Sequence, residues 1–156
     1  MPKILTISEE SSHTKRSLEN QSVTSSTVLV DSDYLHYPVS TGLYKISFGI
    51  VLTSSTTGLH KQTLSAPANS EIGVIVNYSG ALNSTSFTQT SARGTGISAL
   101  ALITDGAGGE DVRILGDGYV NVIEEGDLQF QFAQSTPHTT ATTLRQGSWA
   151  TFERMR

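Results

Sequence analysis

The sequence predicts an all-β fold, a jelly roll-like antiparallel β-sandwich preceded by a short N-terminal arm. Three observations predict it: apolar residues that alternate with period two, turn residues that recur at spacings of roughly ten, and a polar surface built from hydroxyls rather than charges. Charged residues are only 15% of the 156, against roughly 25% in an average domain, while Ser and Thr supply about a quarter of the chain. Threonine is β-branched and suits a pleated, half-exposed face, whereas long solvated helices carry Glu and Lys.

In chain order, residues 1–22 read as an arm and residues 23–156 as the sandwich. The arm holds one apolar cluster, Ile4, Leu5 and Ile7, followed by the polar stretch 8–16 with no period. Such a stretch buries too little surface to order itself. The apolar cluster is therefore expected either to fray or to anchor on a neighbouring surface.

From Val23 onward the signals are strands. Tyr44, Ile46, Phe48, Ile50 and Leu52 alternate with small or polar residues, the pattern of a strand with one buried face. Leu128, Phe130 and Phe132 repeat it, with Asp127, Gln129 and Gln131 on the wet side. Shorter runs predict strands at 72–78, 97–103, 112–115 and 119–123, and a last strand over 149–155. Turn signals lie between them at Ser40-Thr41-Gly42, Thr56-Thr57-Gly58, Ser79-Gly80, Asp105-Gly106, Asp117-Gly118 and Glu125-Gly126. No apolar stripe has helical spacing.

Composition also bounds function. A net charge of −4 and no basic run longer than Lys15-Arg16 argue against nucleic-acid binding. Arg145, Arg154 and Arg156 read as a solvated strand face rather than a basic patch. Cysteine is absent, so disulfides and thiolate metal sites are excluded. No apolar run reaches the length of a signal peptide or a membrane span, which implies assembly in a cytoplasm and no membrane partner.

The search for catalytic chemistry returns negatives. His13, His36, His60 and His138 lack metal-ligand spacing. Gly106-Ala107-Gly108-Gly109 lacks the lysine of a phosphate loop and reads as a hairpin tip. Asp31 and Asp33 offer calcium-type oxygens two residues apart, although a turn corner capped by Asx hydrogen bonds is the simpler reading. Glu110-Asp111 and Glu124-Glu125 are neighbours in sequence, and neighbours on a strand point to opposite faces, so neither pair suits shared acid–base work. No Gly-x-Ser-x-Gly elbow is present. The chain is expected to be no enzyme, with no cofactor, no metal and no catalytic residue.

Two stretches resemble a known family. One comprises Gly126-Asp127-Leu128-Gln129-Phe130-Gln131-Phe132-Ala133-Gln134-Ser135 and then Ala141-Thr142-Thr143-Leu144-Arg145-Gln146-Gly147-Ser148-Trp149. The other runs from Ser26-Thr27-Val28-Leu29 through Asp31-Ser32-Asp33-Tyr34-Leu35 to Tyr37. Together they resemble a C-terminal β-sandwich domain of tailed-phage and prophage structural proteins, found in capsid decoration (cement) and fibre-tip modules. The likeness covers about half the chain. It departs from the family at Phe132, where tryptophan is frequent.

Physically, Leu29, Leu35, Tyr37, Tyr44, Phe48, Leu128, Phe130, Phe132 and Trp149 are expected in the core, with Trp149 closing one end over Phe132 and Phe48. Gln134 is expected to bind a loop backbone. The resemblance implies a virion protein working as a homotrimer. With no shaft or heptad pattern ahead of the domain, the expectation is a decoration protein on the outer capsid surface, gripping the major capsid protein through Ile4, Leu5 and Ile7. The alternative is a receptor-binding tip recognising a host glycan, with Tyr34, Tyr37, Tyr78 and Tyr119 as stacking rings.

Overall fold

The computed structural model describes residues 12–81, 87–95 and 111–155. Among them are eleven strands: β1 (Ser12–Arg16), β2 (Gln21–Val23), β3 (Val30–Val39), β4 (Gly42–Thr53), β5 (Lys61–Ser65), β6 (Glu71–Ala81), β7 (Phe87–Thr95), β8 (Asp111–Val122), β9 (Gly126–Ala133), β10 (Thr142–Leu144) and β11 (Trp149–Arg154). They form the predicted antiparallel β-sandwich. The larger sheet runs β1-β11-β4-β8-β6-β7, with β10 bridging β2 to the end of β4, and the smaller sheet runs β3-β9-β5. The described residues include no helix.

Strand β4 is the axis of the fold. It pairs β8 along its whole length, from Gly42 opposite Val122 to Thr53 opposite Asp111. Its alternation presents Tyr44, Ile46, Phe48, Ile50 and Leu52 inward, all buried, against Leu128, Phe130 and Phe132 of β9. Full burial of a side chain such as Phe132 or Leu128 is worth about 1.5–3 kcal/mol relative to exposure. A dozen such side chains are what hold two sheets together without disulfides.

Several expectations are corrected. The runs 112–115 and 119–123 are one strand, β8, and Asp117-Gly118 is no turn. The glycines of β8 allow close approach instead: a Cβ on Gly116 would strike the Phe48 ring, and one on Gly118 would strike the Gly73 carbonyl. Ser79-Gly80 is likewise inside β6, where the pairing with β8 slips between Ser79 and Ala81.

The polar stretch ending at Arg16 is not structureless. Ser12–Arg16 pairs with β11, so the sheet begins before the boundary expected at Val23. Pairing of main-chain groups orders β1, and one ring assists: His13 stacks on Tyr37 at 4.7 Å, and Tyr37 stacks on Phe152 at 5.5 Å and 9°. The stack ties the edge of the large sheet to the small one.

Trp149 does not close the core. Ala150 and Phe152 set the inward phase of β11, so Trp149 points outward, 37% exposed, with its indole lying across Gly49. Leu29 is half-buried in the loop ahead of β3 rather than in a strand. The expected arm cluster Ile4, Leu5 and Ile7, the strand at 97–103, the turn at Asp105-Gly106 and the tip Gly106-Ala107-Gly108-Gly109 lie outside the described residues.

Candidate functional site

At the end of the sandwich where β3 turns into β4, a groove of about 380 Å³ is lined by Tyr37, Pro38, Val39, Ser40, Tyr44, Glu125 and Arg154. Each lining group comes from a strand end. The β3–β4 turn brings Ser40, whose amide donates to the Tyr44 hydroxyl at 3.2 Å. Arg154, on the last residue of β11, donates through Nη2 to the Thr41 carbonyl at 2.9 Å, which fixes the guanidinium at the rim. Glu125 comes from the exposed turn between β8 and β9. Burial first, and then the neighbouring Tyr44 phenol, push the Tyr37 hydroxyl above the ordinary tyrosine value. The groove thus offers one basic, one acidic and three hydroxyl side chains, a set suited to hydrogen bonding.

The opposite end is held by a buried amide. Gln134 Oε1 accepts from the Ser26 and His138 amides at 3.2 and 3.0 Å, and Nε2 donates to the His138 and Thr140 carbonyls at 3.0 and 2.8 Å. All four capacities of the side chain, itself fully buried, go to loop backbone. This role was foreseen from the sequence.

His60 and His138 approach the same loop from two sides. The Ser54 hydroxyl and His60 Nδ1 are hydrogen-bonded at 3.1 Å, and His138 Nδ1 accepts from the Thr140 amide at 3.0 Å while lying 3.4 Å from the Ser55 hydroxyl. No group of three or more His, Asp or Glu that could hold a metal ion gathers among the described residues.

Asp31 and Asp33 lie within β3 and form no Asx corner. Ser32 does that work, its hydroxyl accepting from the Tyr34 and Leu35 amides at 3.4 and 3.1 Å. The Asp31 carboxylate instead accepts from Gln131 Nε2 at 2.6 Å, and Gln21 bridges the Asp31 carbonyl and the Asp33 amide.

The arginines do not form one patch. Arg145 sits by Leu52 at one end of β4 and pairs with Asp111 at 2.8 Å, whereas Arg154 pairs with Tyr44 at the other end. Eight residues of strand separate those ends, roughly 27 Å. Asp111 also accepts from the Thr53 hydroxyl. Partial burial raises its carboxyl pKa, but the bonds from Thr53 and Arg145 and the Arg145 charge outweigh that and leave it below the ordinary value. Arg156 and Glu110 lie outside the described residues. Glu124 accepts from Asn69 Nδ2 at 2.6 Å while Glu125 lines the groove, so the two carboxylates diverge.

Of the rings considered for sugar stacking, Tyr37 is half-buried and stacks on His13 and Phe152. Tyr34 is half-buried, and Tyr119 lies against Gly73 on the outer face of the large sheet. Tyr78 has no described side chain. Sequence reasoning missed Ser40, Glu125 and Arg154 as groove residues. Their only signal is that each flanks a turn or a chain end.

No family model matches the chain, and no curated protein matches it. Among solved structures it is similar to Eiger TNF from S. frugiperda, at 11% identity and a TM-score of 0.29, over 90% of this chain and 94% of that one. It is also similar to chains of infectious bursal disease virus. The Gx strain gives 8% identity and a TM-score of 0.23, over 96% of this chain and 37% of that one. The Gt strain gives 8% and 0.23, over 95% and 38%. The chain spans little more than a third of either virus chain.

Proposed function

We propose that this chain is a non-enzymatic virion protein that decorates the outer surface of a tailed-phage capsid as a homotrimer and braces the shell. The observation that carries the reading is where the phage-like residues go. Phe130, Phe132 and Leu144 are core, Gln134 locks two loops together, and Arg145 is held by Asp111. The stretch that resembles phage structural domains therefore builds a rigid scaffold rather than a reaction centre. Adhesion by shape and copy number fits such a scaffold. Linked weak contacts gain two to four orders of magnitude, roughly, in avidity over any one of them.

In this reading Ile4, Leu5 and Ile7 anchor the arm on the major capsid protein, and the sandwich makes the trimer. Removal of residues 2–11, all ahead of β1, is expected to abolish capsid binding while the trimer stays folded. Full binding by that truncation contradicts the arm assignment.

A second reading, a tip that binds a host-surface glycan, draws on the groove between Tyr37, Ser40, Glu125 and Arg154. Its weakness is that the Tyr37 ring is already stacked on His13 and Phe152. Cosedimentation separates the two: decoration predicts binding to capsids stripped of their ornaments and none to host cells, and the tip reading predicts the reverse.

A further inference from the structure

Strand β1 fixes where the arm leaves the sandwich. Its first residue, Ser12, lies opposite Glu153, one residue short of Arg154 at the rim of the groove, and the antiparallel pairing aims the preceding chain past that end. Ile7 stands five residues ahead of Ser12, so it lies at most about 18 Å from it even at full extension. Glu153 is level with Lys45, and Thr53 at the far end of β4 is about 27 Å from there. A surface gripped by Ile4, Leu5 and Ile7 together is therefore within reach of the groove end and out of reach of the end that Gln134 clamps.

The groove end also exposes apolar groups. The alternation that buries Tyr44 turns Leu43 to the outer face, where it is half-buried, and the Met155 amide donates to its carbonyl at 2.8 Å. Beside it, the Thr41 hydroxyl donates to the Ile123 carbonyl at 3.3 Å. Ile123 and Met155 are 50% and 45% exposed. The charges around them are unequally engaged. Arg154 donates to the Thr41 carbonyl and Glu124 takes the Asn69 amide, whereas Glu125 and Asp127 have no hydrogen-bond or ion-pair partner among the described residues.

We propose that the groove end is where the sandwich seats on the shell, which rests on the decoration reading above and gives it an orientation. The partner is a protein surface with an apolar patch for Leu43, Ile123 and Met155 and a basic side chain that meets Glu125 in the groove. Hydrocarbon gains by burial against hydrocarbon, and an apolar centre beside a charged rim is the layout of a protein interface rather than of a sugar site. Complementary charge at the rim speeds the encounter and fixes its orientation. The clamped end then faces outward. Leu18 and Val28, 61% and 70% exposed, stand toward that end on two separate loops, and they supply the control.

The test is cosedimentation of the full chain with capsids stripped of their ornaments. Ile123→Glu with Met155→Glu is expected to weaken capsid binding by about 100-fold or more, and Glu125→Lys by about tenfold or more. Leu18→Glu with Val28→Glu is expected to bind as the wild type does, and sedimentation velocity is expected to give all four proteins the same oligomeric state. Because the chain has no cysteine, Ile123→Cys and Val28→Cys give a second measurement that does not depend on the Glu variants folding. Alkylation at position 123 is expected to slow by about tenfold or more when capsids are added, and at position 28 to stay unchanged. The orientation is overturned if the Leu18 and Val28 pair abolishes binding while the Ile123 and Met155 pair spares it, or if both cysteines react equally on the capsid. An Ile123 and Met155 variant that falls apart as an oligomer would make this end a contact between copies instead, and full binding by Glu125→Lys would remove the basic partner. A wild type that ignores capsids sinks the decoration reading and this one together, a result distinct from binding through the other end.

Discussion

The side-chain amide of Gln134 pairs with both main-chain groups of His138, accepting from its N–H and donating to its C=O, each at 3.0 Å. One side chain thus imitates a rung of a β-ladder and closes the loop that follows β9. A further bond to the Thr140 carbonyl holds the far side of that loop, and one from the Ser26 amide extends the clamp to the loop before β3.

Replacing Gln134 by Ala removes four hydrogen bonds and takes the acceptor from the Ser26 and His138 amides, while the His138 carbonyl keeps the Ser25 amide as donor. A loss of about 3 kcal/mol is expected, since each buried unpaired group costs about 1–3 kcal/mol and relaxation recovers part of it. Urea unfolding at neutral pH measures it. A loss below about 1 kcal/mol would show that the loops hold without the clamp.

Gly116→Ala is expected to cost about 1–3 kcal/mol, because the added methyl meets the Phe48 ring inside a packed core. A thermal melt reads the effect. An unchanged melting temperature would mean that Phe48 has room to move.

The Asp111 carboxylate gives a pH signature. Its folded pKa lies below the ordinary value, so its stabilisation is present above the unfolded pKa of about 3.9 and is lost as pH falls through the folded value. The Asp111→Asn variant is therefore expected to be less stable than wild type at pH 7, by under about 1 kcal/mol given that the pair is partly exposed. The deficit should close as both are titrated below pH ~4. A deficit that persists unchanged in acid would assign the role to shape rather than charge.

Tyr37 stacks on both His13 and Phe152. Tyr37→Ala is expected to speed hydrogen exchange across β1 by about tenfold, the equivalent of ~1.4 kcal/mol of lost ring contact, while Tyr37→Phe leaves it unchanged. Equal exchange in all three proteins would show that pairing with β11 alone orders the strand.

Gln62 stands opposite Phe132 on the inner face, fully buried, and neither amide atom has a hydrogen-bond partner among the described residues. Gln62→Met is expected to stabilise the protein by about 1 kcal/mol or more, because the unpaired polar atoms are replaced by hydrocarbon of similar length. Denaturant midpoints decide it, and destabilisation would contradict the burial account.

How much of this was legible in the sequence depends on where each residue's order comes from. The strands β4 and β9 carry their own evidence, because one buried face imposes period two on Tyr44 to Leu52 and on Leu128 to Phe132. Gly116 and Gly118 misled because a glycine that admits a neighbouring ring and one that turns the chain look alike in sequence. The strand β1 was hidden: its residues bury little, and what orders it, pairing with β11 assisted by the Tyr37 ring, is far away in the chain. Trp149 was legible in principle. Its neighbours Ala150 and Phe152 fix the inward phase of β11, and the indole must then point out. The groove was not legible, since Ser40, Glu125 and Arg154 meet only once three separate strand ends are stacked.

The central claim concerns where the protein sits, and an image of the intact virion by electron cryomicroscopy tests it most directly. Density for this sandwich is expected on the outer capsid surface, in clusters of three related by local threefold axes. Density at the tail tip with none on the shell would contradict the account.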